Sequence, residues 1–417
     1  MRRAPRGRSE TLAETLAATL AATLAEPLAA TLATTLAAAL AAGALAASLG
    51  AGVAGCRDGA VAPAPSPTSL GRAAVRADGG LALLLDDGAS LPPASVRAAV
   101  AAEGLIVSYA MPDEWANQGG LWRDFSAAWG LRHLDTDMSS VEELQKFAAE
   151  RRKPVADVGD IGISFGPLAR QMGLCAPFRN SHFDEIPANL KDPDGCWATA
   201  YYGVIAFVVN RRLVPTPPRS FADLEGPRYR CSVTIDDPRM AAQGLAGVVG
   251  AAYAMGGSEH DVRPGVDFFA RLVRSGNYKP AKPSLANIQS GEIPIAVLWD
   301  FVGLAYRDRI GSEQPIEVII PEDGAVAGPY AAVINRLAPH PVAARALNEW
   351  VFSDAGQLSY ARGYARPVRK VALPPDVAAR SLPESQYRTV RFLGDYRALD
   401  RAKSVVRAEW GPKVLAQ

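Results

Sequence analysis

Tyr201-Tyr202-Gly203-Val204-Ile205-Ala206-Phe207-Val208-Val209-Asn210 is the stretch on which the fold turns. It is a continuous uncharged run rich in β-branched and aromatic side chains, so it reads as a strand buried on both faces. Pro215-Thr216-Pro217-Pro218 comes next as a rigid turn, and Tyr330-Ala331-Ala332-Val333-Ile334-Asn335 later repeats the same apolar-to-Asn ending. Two such strands, one leaving a first lobe and one returning to it, are what a discontinuous first domain with an inserted second domain requires. The expected hinge runs through residues 207–210 and 333–335.

Working outward, both flanks alternate strands with helices. Residues 105–110 form a short apolar run of strand length, 121–129 have helical character, and 132–137 read as a second strand. Ser140-Val141-Glu142-Glu143 announces a helix in which Ser140 caps and Glu143 reaches back, with Val141, Leu144, Phe147 and Ala148 on its apolar face. A third strand, 156–163, leads through Ser164 and Gly166 into another short helix. Beyond the Pro-rich turn, 230–235, 293–299 and 316–320 read as strands, and 241–254 and 266–273 as helices. Strand, helix, strand with short loops implies right-handed crossovers onto a largely parallel sheet in each lobe. Ligands of such sheets bind beyond the carboxyl ends of the strands. Those ends are residues 109–115, 137–139 and 164–165.

Composition bounds the function. The chain has 417 residues, with 44 Lys+Arg against 43 Asp+Glu, so it lacks the basic excess that neutralising nucleic-acid phosphates demands. Four Cys and four His exclude zinc modules and disulfide scaffolds. His133, His182, His260 and His340 are scattered, and no His-x-x-x-His or Cys-x-x-Cys occurs. Enzyme and cofactor readings are therefore disfavoured, and the lack of repeats disfavours an adhesive one.

The 49% hydrophobic content is partly an N-terminal address. Arg2, Arg3, Arg6 and Arg8 form a basic start, an alanine-rich apolar stretch follows, and Val53-Ala54-Gly55-Cys56 resembles a bacterial lipobox, whose Cys is acylated. Residues 1–56 are expected to be a signal peptide with Cys56 as lipidation site, and 57–102 a Pro/Ala-rich tether and lead-in. Of the remaining Cys175, Cys196 and Cys231, Cys175 and Cys196 are the favoured disulfide pair, with buried free thiols the alternative.

Several pieces then fall in a recognisable order: Val107-Ser108-Tyr109, Ala156-Asp157-Val158-Gly159-Asp160, Tyr202-Gly203, Ser220-Phe221-Ala222-Asp223-Leu224 and Ser353-Asp354-Ala355-Gly356-Gln357. Together they resemble the extracellular solute-binding proteins of bacterial ABC importers, of the two-lobed type II class that includes polyamine, ferric-iron, thiamine and phosphonate binders. The resemblance implies an α/β two-lobed fold with lobe one at 103–206 plus 333–417 and lobe two at 207–332. It also implies a monomeric binding module in the cell envelope, periplasmic or lipid-anchored at the outer face of the cytoplasmic membrane. Such a module closes on a small solute, needs no cofactor or metal of its own, and hands the solute to a membrane permease. The C-terminal tail is expected to pack back on a lobe.

Cleft candidates come from the chemistry at the strand ends. Asp113, Glu114 and Trp115 combine two carboxylates with an indole, and Tyr109, Asp137, Trp299, Asp300 and Tyr330 can complete a cage for an organic ammonium, the favoured ligand. Ser139 and Ser164 sit at loop-to-helix transitions, where free N–H groups suit a phosphate or phosphonate, the alternative. Tyr202 beside Tyr201 superficially offers the tyrosine pair of iron binders. Adjacent strand residues point to opposite faces, which makes iron the weakest of the three.

Overall fold

The computed structural model describes residues 70–75, 81–85, 90–91, 93–393 and 395–416. The chain divides into two units, and the first, Met1–Ala64, lies outside the described residues, as do the signal peptide, Cys56 and the start of the expected tether. Every described residue belongs to the second unit, Pro65–Gln417.

Three strands come first: β1 (Leu70–Val75), β2 (Leu81–Leu85) and β3 (Ser90–Leu91) form an antiparallel sheet, and helix Pro93–Glu103 succeeds them. The lead-in is thus partly folded rather than wholly extended. The main sheet is built from β4 (Leu105–Tyr109), β5 (Arg132–Thr136), β6 (Val158–Gly162), β7 (Trp197–Asn210), β8 (Val233–Ile235), β9 (Ile295–Trp299), β10 (Ile316–Ile319), β11 (Val326–Ile334), β12 (Arg366–Pro367) and β13 (Arg391–Phe392). Its order is β5-β4-β6-β11-β7-β9-β8, with β10 and β12 also on β7 and β13 on β11.

The central strand changes partners halfway. Trp197–Val204 of β7 pairs with β11, whereas its second half, Ile205 to Asn210, lies between β9 and β10. The partner switch falls between Val204 and Ile205, just upstream of residues 207–210. In place of a largely parallel sheet, the pairing is mixed: β4/β5, β4/β6, β8/β9 and the short β11/β13 pair are parallel, whereas β7 runs antiparallel to β9, β10 and β11, and β11 antiparallel to β6. The reason is directional: a strand that leaves a lobe and one that returns must run opposite ways. Both are nearly inaccessible to solvent, with Tyr201, Val204, Ile205, Ala206 and Phe207 fully covered. That accounts for their unbroken apolar sequence.

One helix start differs by a residue from expectation. Ser139, not Ser140, caps helix Ser140–Ala149, and Glu142, not Glu143, returns the bond to the cap backbone. Ser140 instead accepts the Gly162 N–H at 3.0 Å, and Glu143 is turned into the core. The C-terminal helix, Tyr396–Trp410, is started by Asp395, which accepts the Arg397 and Ala398 N–H groups. It packs on helix Arg263–Ser275 through Trp410 against Phe269, at 5.4 Å between centroids, and through Arg263–Glu409 at 3.0 Å and Lys413–Asp267 at 2.7 Å. Helix Arg263–Ser275 belongs to the stretch expected to form lobe two, and the last helix packs against it. Among the described residues no helix is long and apolar enough to cross a membrane.

Candidate functional site

A cleft of about 900 Å³ opens beyond the strand ends, within the range of small-molecule sites. One wall comes from the loops after β4, β5 and β6, the other from the segments after β8 and around Tyr278 to Pro283, and the floor from Trp299 and from Ala327 to Tyr330 of β11. Of the sequence candidates, Trp115, Asp137, Ser139, Ser164, Trp299 and Tyr330 line it.

The others are used elsewhere, each for a physical reason. Tyr109, the last residue of β4, points away from the cleft, and its hydroxyl meets the Glu150 carboxylate at 2.8 Å and Lys146 at 3.1 Å. Asp113 and Glu114 are exposed on the outer side of their turn, where Glu114 takes Arg309 at 3.2 Å. Asp300 is a buried staple: it accepts the Val204 N–H at 2.8 Å, the Phe301 N–H at 2.9 Å and the Tyr387 hydroxyl at 2.8 Å. Burial pushes its carboxyl up to about 6. Tyr202 faces the tail, accepting from Arg366 at 3.2 Å and packing on Phe392. Its neighbour Tyr201 points the opposite way, as strand alternation requires, so the two cannot share a metal. Among the described residues no group of three or more His, Cys, Asp or Glu is arranged to hold one.

The floor is an aromatic network over a buried acid. Trp115 Nε1 donates to the Tyr201 hydroxyl at 2.7 Å, and that hydroxyl donates to Asp160, which also faces the Gln118 amide at 3.5 Å. The Tyr201 ring is stacked between Tyr330 and Tyr360, and Trp299 Nε1 reaches the Tyr330 hydroxyl at 3.2 Å. Burial pushes the Asp160 carboxyl up to about 8 against the pull of its two donors, so it is largely protonated at neutral pH. Behind it, Glu143 occupies the space left by the missing side chain of Gly159, and full burial holds its carboxyl well above the ordinary range.

Sequence reasoning missed Asp160 as a cleft residue and everything on the far wall. Asp236, Asp237 and Arg239 follow β8; Asp237 and Arg239 form a two-point pair at 2.9 and 2.5 Å, and Asp236 takes the Gln243 amide. Gln243 also accepts the Trp299 N–H at 2.7 Å, tying the far wall to the floor. Helix Ala242–Ala254 begins here with no side-chain cap, so its positive end is turned on the cleft. Lys282, Lys403 and Arg407 add cationic groups to the lining. The strand-end rule could have found Asp236 and Asp237, which directly follow β8, but not Asp160, which lies in the middle of β6. The tail carried no such signal.

One arrangement imitates a catalytic triad. Ser108, His133 and Asp135 meet at 2.8 and 2.5 Å, but Ser108 is fully buried, its hydroxyl donates to Asp135, and none of the three lines the cleft. Burial also drops the His133 imidazole to about 4, leaving a neutral ring stacked on Trp122.

Comparison with known proteins agrees with a binding site. The chain is 28% identical over 230 residues to an uncharacterised protein of Haemophilus influenzae, covering 51% of this chain and 62% of that one. It is 24% identical over 261 residues to a Salmonella typhimurium protein provisionally described as 2-aminoethylphosphonate-binding and periplasmic, covering 60% of this chain and 74% of that one. Among solved structures, the periplasmic binding protein AfuA of Actinobacillus pleuropneumoniae, with fructose 6-phosphate bound, superposes with a TM-score of 0.59 at 17% identity, over 75% of this chain and 99% of that one. The apo ferric ion-binding protein A of Pasteurella haemolytica gives 0.60 at 14% identity, over 75% and 98%. At these identities the structures speak for the two-lobed periplasmic-binding-protein fold alone. Residues 153–394 match the sequence profile of the bacterial extracellular solute-binding proteins, a family of binders rather than enzymes, and the chain belongs to that family.

Proposed function

We propose that this protein is the solute receptor of a bacterial ABC importer, and that its cleft takes a small phosphonate or phosphate ester, an aminophosphonate among them. The observation that carries the anion is the sorting of charge. Asp113, Glu114 and Asp300, three of the carboxylates assigned to an ammonium cage, lie outside the cleft, and Asp160 is largely protonated within it. What remains is an uncapped helix end, Ser139 and Ser164, and the cations Lys282, Lys403 and Arg407, while on the far wall Asp237 is paired with Arg239 and Asp236 is engaged by the Gln243 amide. An exposed carboxylate, Asp137, beside the half-buried Trp115 is left to meet an amine on the same ligand. The Salmonella relative's description is consistent with such a zwitterion.

In this reading lobe one (103–206 and the chain from 333 as far as the last helix) and lobe two (207–332 with that helix) close on the solute about the β7 and β11 crossing. The monomer, anchored through acylated Cys56, presents it to the permease without a cofactor. Mass spectrometry of the membrane-extracted protein tests the anchor: an unmodified residue preceding Cys56 in the mature chain overturns it.

A thermal-shift panel tests the ligand class, because a ligand bound by the folded state alone stabilises by about 2.7 kcal/mol at a hundred times its Kd. 2-Aminoethylphosphonate, methylphosphonate or glucose 6-phosphate is expected to raise Tm. A response to spermidine, putrescine or choline alone overturns the anion and restores the organic cation.

A further inference from the structure

The family segment ends at residue 394, yet the cleft does not. Leu399, Lys403, Arg407 and Trp410 all line it, and their spacing of four, four and three places them along one face of the C-terminal helix. The helix has little freedom to be there by accident. Trp410 is locked on Phe269, Glu409 is paired with Arg263 and Lys413 with Asp267, while Leu399 and Trp410 are almost wholly buried. Lys403, one turn after Leu399, is drawn inward with only 15% of its side chain exposed, and its Nζ stands 3.8 Å over the ring of Phe165, the residue after Ser164 in the opposite wall. Its carboxylate partner on the same helix, Asp400, is 3.3 Å away and largely in water, so the pair contributes little on its own. Burial holds the Lys403 ammonium below its ordinary range, which a bound anion would reverse.

We propose that the C-terminal helix is a third wall of the binding site, with Lys403 and Arg407 as ligand-contacting, specificity-determining residues that recognise the anionic end of the solute next to Ser164. This rests on the proposed anion and assigns part of the recognition to a segment outside the family's matched core. An anion at this position gives the inward-turned lysine a charged partner facing Phe165, which Asp400, largely in water, does not.

The test is isothermal titration at low salt of the whole mature protein with 2-aminoethylphosphonate, methylphosphonate and glucose 6-phosphate. Lys403→Gln and Arg407→Gln are compared with Arg401→Gln, whose side chain turns to His260 and Asp395 on another face. A charge-assisted hydrogen bond is worth about tenfold in affinity, so each of the first two variants should raise Kd about tenfold or more for the tightest probe, and Arg401→Gln should not. Because Arg407 is exposed, its variant keeps the test open should Lys403→Gln destabilise the helix. Wild-type binding that persists within twofold in both variants overturns the third wall and leaves the anion reading standing. Wild type that binds none of the anions overturns both.

Discussion

Asp160 concentrates the chemistry of the cleft in one side chain. Its folded-state value of about 8 lies above the 3.8 of an exposed carboxyl, so the native state holds a proton that the unfolded chain releases. Stability from this group is therefore full below about pH 4 and lost as pH rises through about 8. Asp300 acts the same way in the lower window, to about 6, and His133 opposes it there, because its imidazole must stay neutral down to about 4. Between pH 6.5 and 8.5 the Asp160 contribution should stand clear of those two. Wild-type Tm is expected to fall across that interval, and Asp160→Asn to flatten the fall, as read by differential scanning calorimetry. An identical slope in the variant would falsify the buried acid. Glu143 titrates in the same direction and is expected to leave a residual slope.

At the scale of elements, what matters is how the crossing strands are pinned. Cys175 and Cys196 form a disulfide across 21 residues, and Cys175 bridges to Asn335 at the end of β11 while Cys196 immediately precedes β7. The bond thus ties together the start of the outgoing strand and the end of the returning one. Closing a loop of that length is worth about 3 kcal/mol in chain entropy. The Cys175→Ala, Cys196→Ala double variant should lose about that much unfolding free energy and unfold at a lower urea midpoint; an unmoved midpoint means the two thiols are not joined. Cys231 remains free and exposed. The one-residue difference at the Ser139 cap belongs to this scale too. Ser139-Ser140 and Glu142-Glu143 offer two overlapping capping boxes, and in the register adopted Leu144 and Phe147 are buried while Ser140 accepts the Gly162 N–H at the end of β6 in the same wall.

For the whole molecule the relation between the lobes is decisive. A Cβ placed at Gly162 in β6 would stand 3.7 Å from the Cβ of Ala242 at the start of the far-wall helix, inside the span of a disulfide. In a Cys231→Ser background, Gly162→Cys with Ala242→Cys should therefore crosslink on mild oxidation and hold the cleft in the observed arrangement. Solute exchange in the oxidised protein is expected to slow strongly, and reduction to restore it. Free exchange in the crosslinked form, followed by stopped-flow tryptophan fluorescence, rules out opening of these walls as the route to the site.

The sequence by itself determined the alternation of strands and helices, the two long apolar strands ending in Asn, and the membership of a binding class. These are local or statistical properties: unbroken apolar runs of strand length and strand-end loops survive without knowing what lies across the chain. It also placed Trp115, Asp137, Ser139, Ser164, Trp299 and Tyr330 at the cleft, since a strand end is identifiable from the strand. Tertiary structure alone decided which way side chains beside those ends turn. Tyr109 and Tyr202 alternate outward, Asp113 and Glu114 sit on the far side of a turn, and Asp300 spends its carboxylate on backbone N–H groups from β7 and its own helix. The antiparallel crossing, the protonated Asp160 and the entry of Lys403 and Arg407 depend on contacts between residues separated by tens to hundreds of positions. Burial and charge at such contacts are set by the partner, and a one-dimensional pattern carries no record of partners.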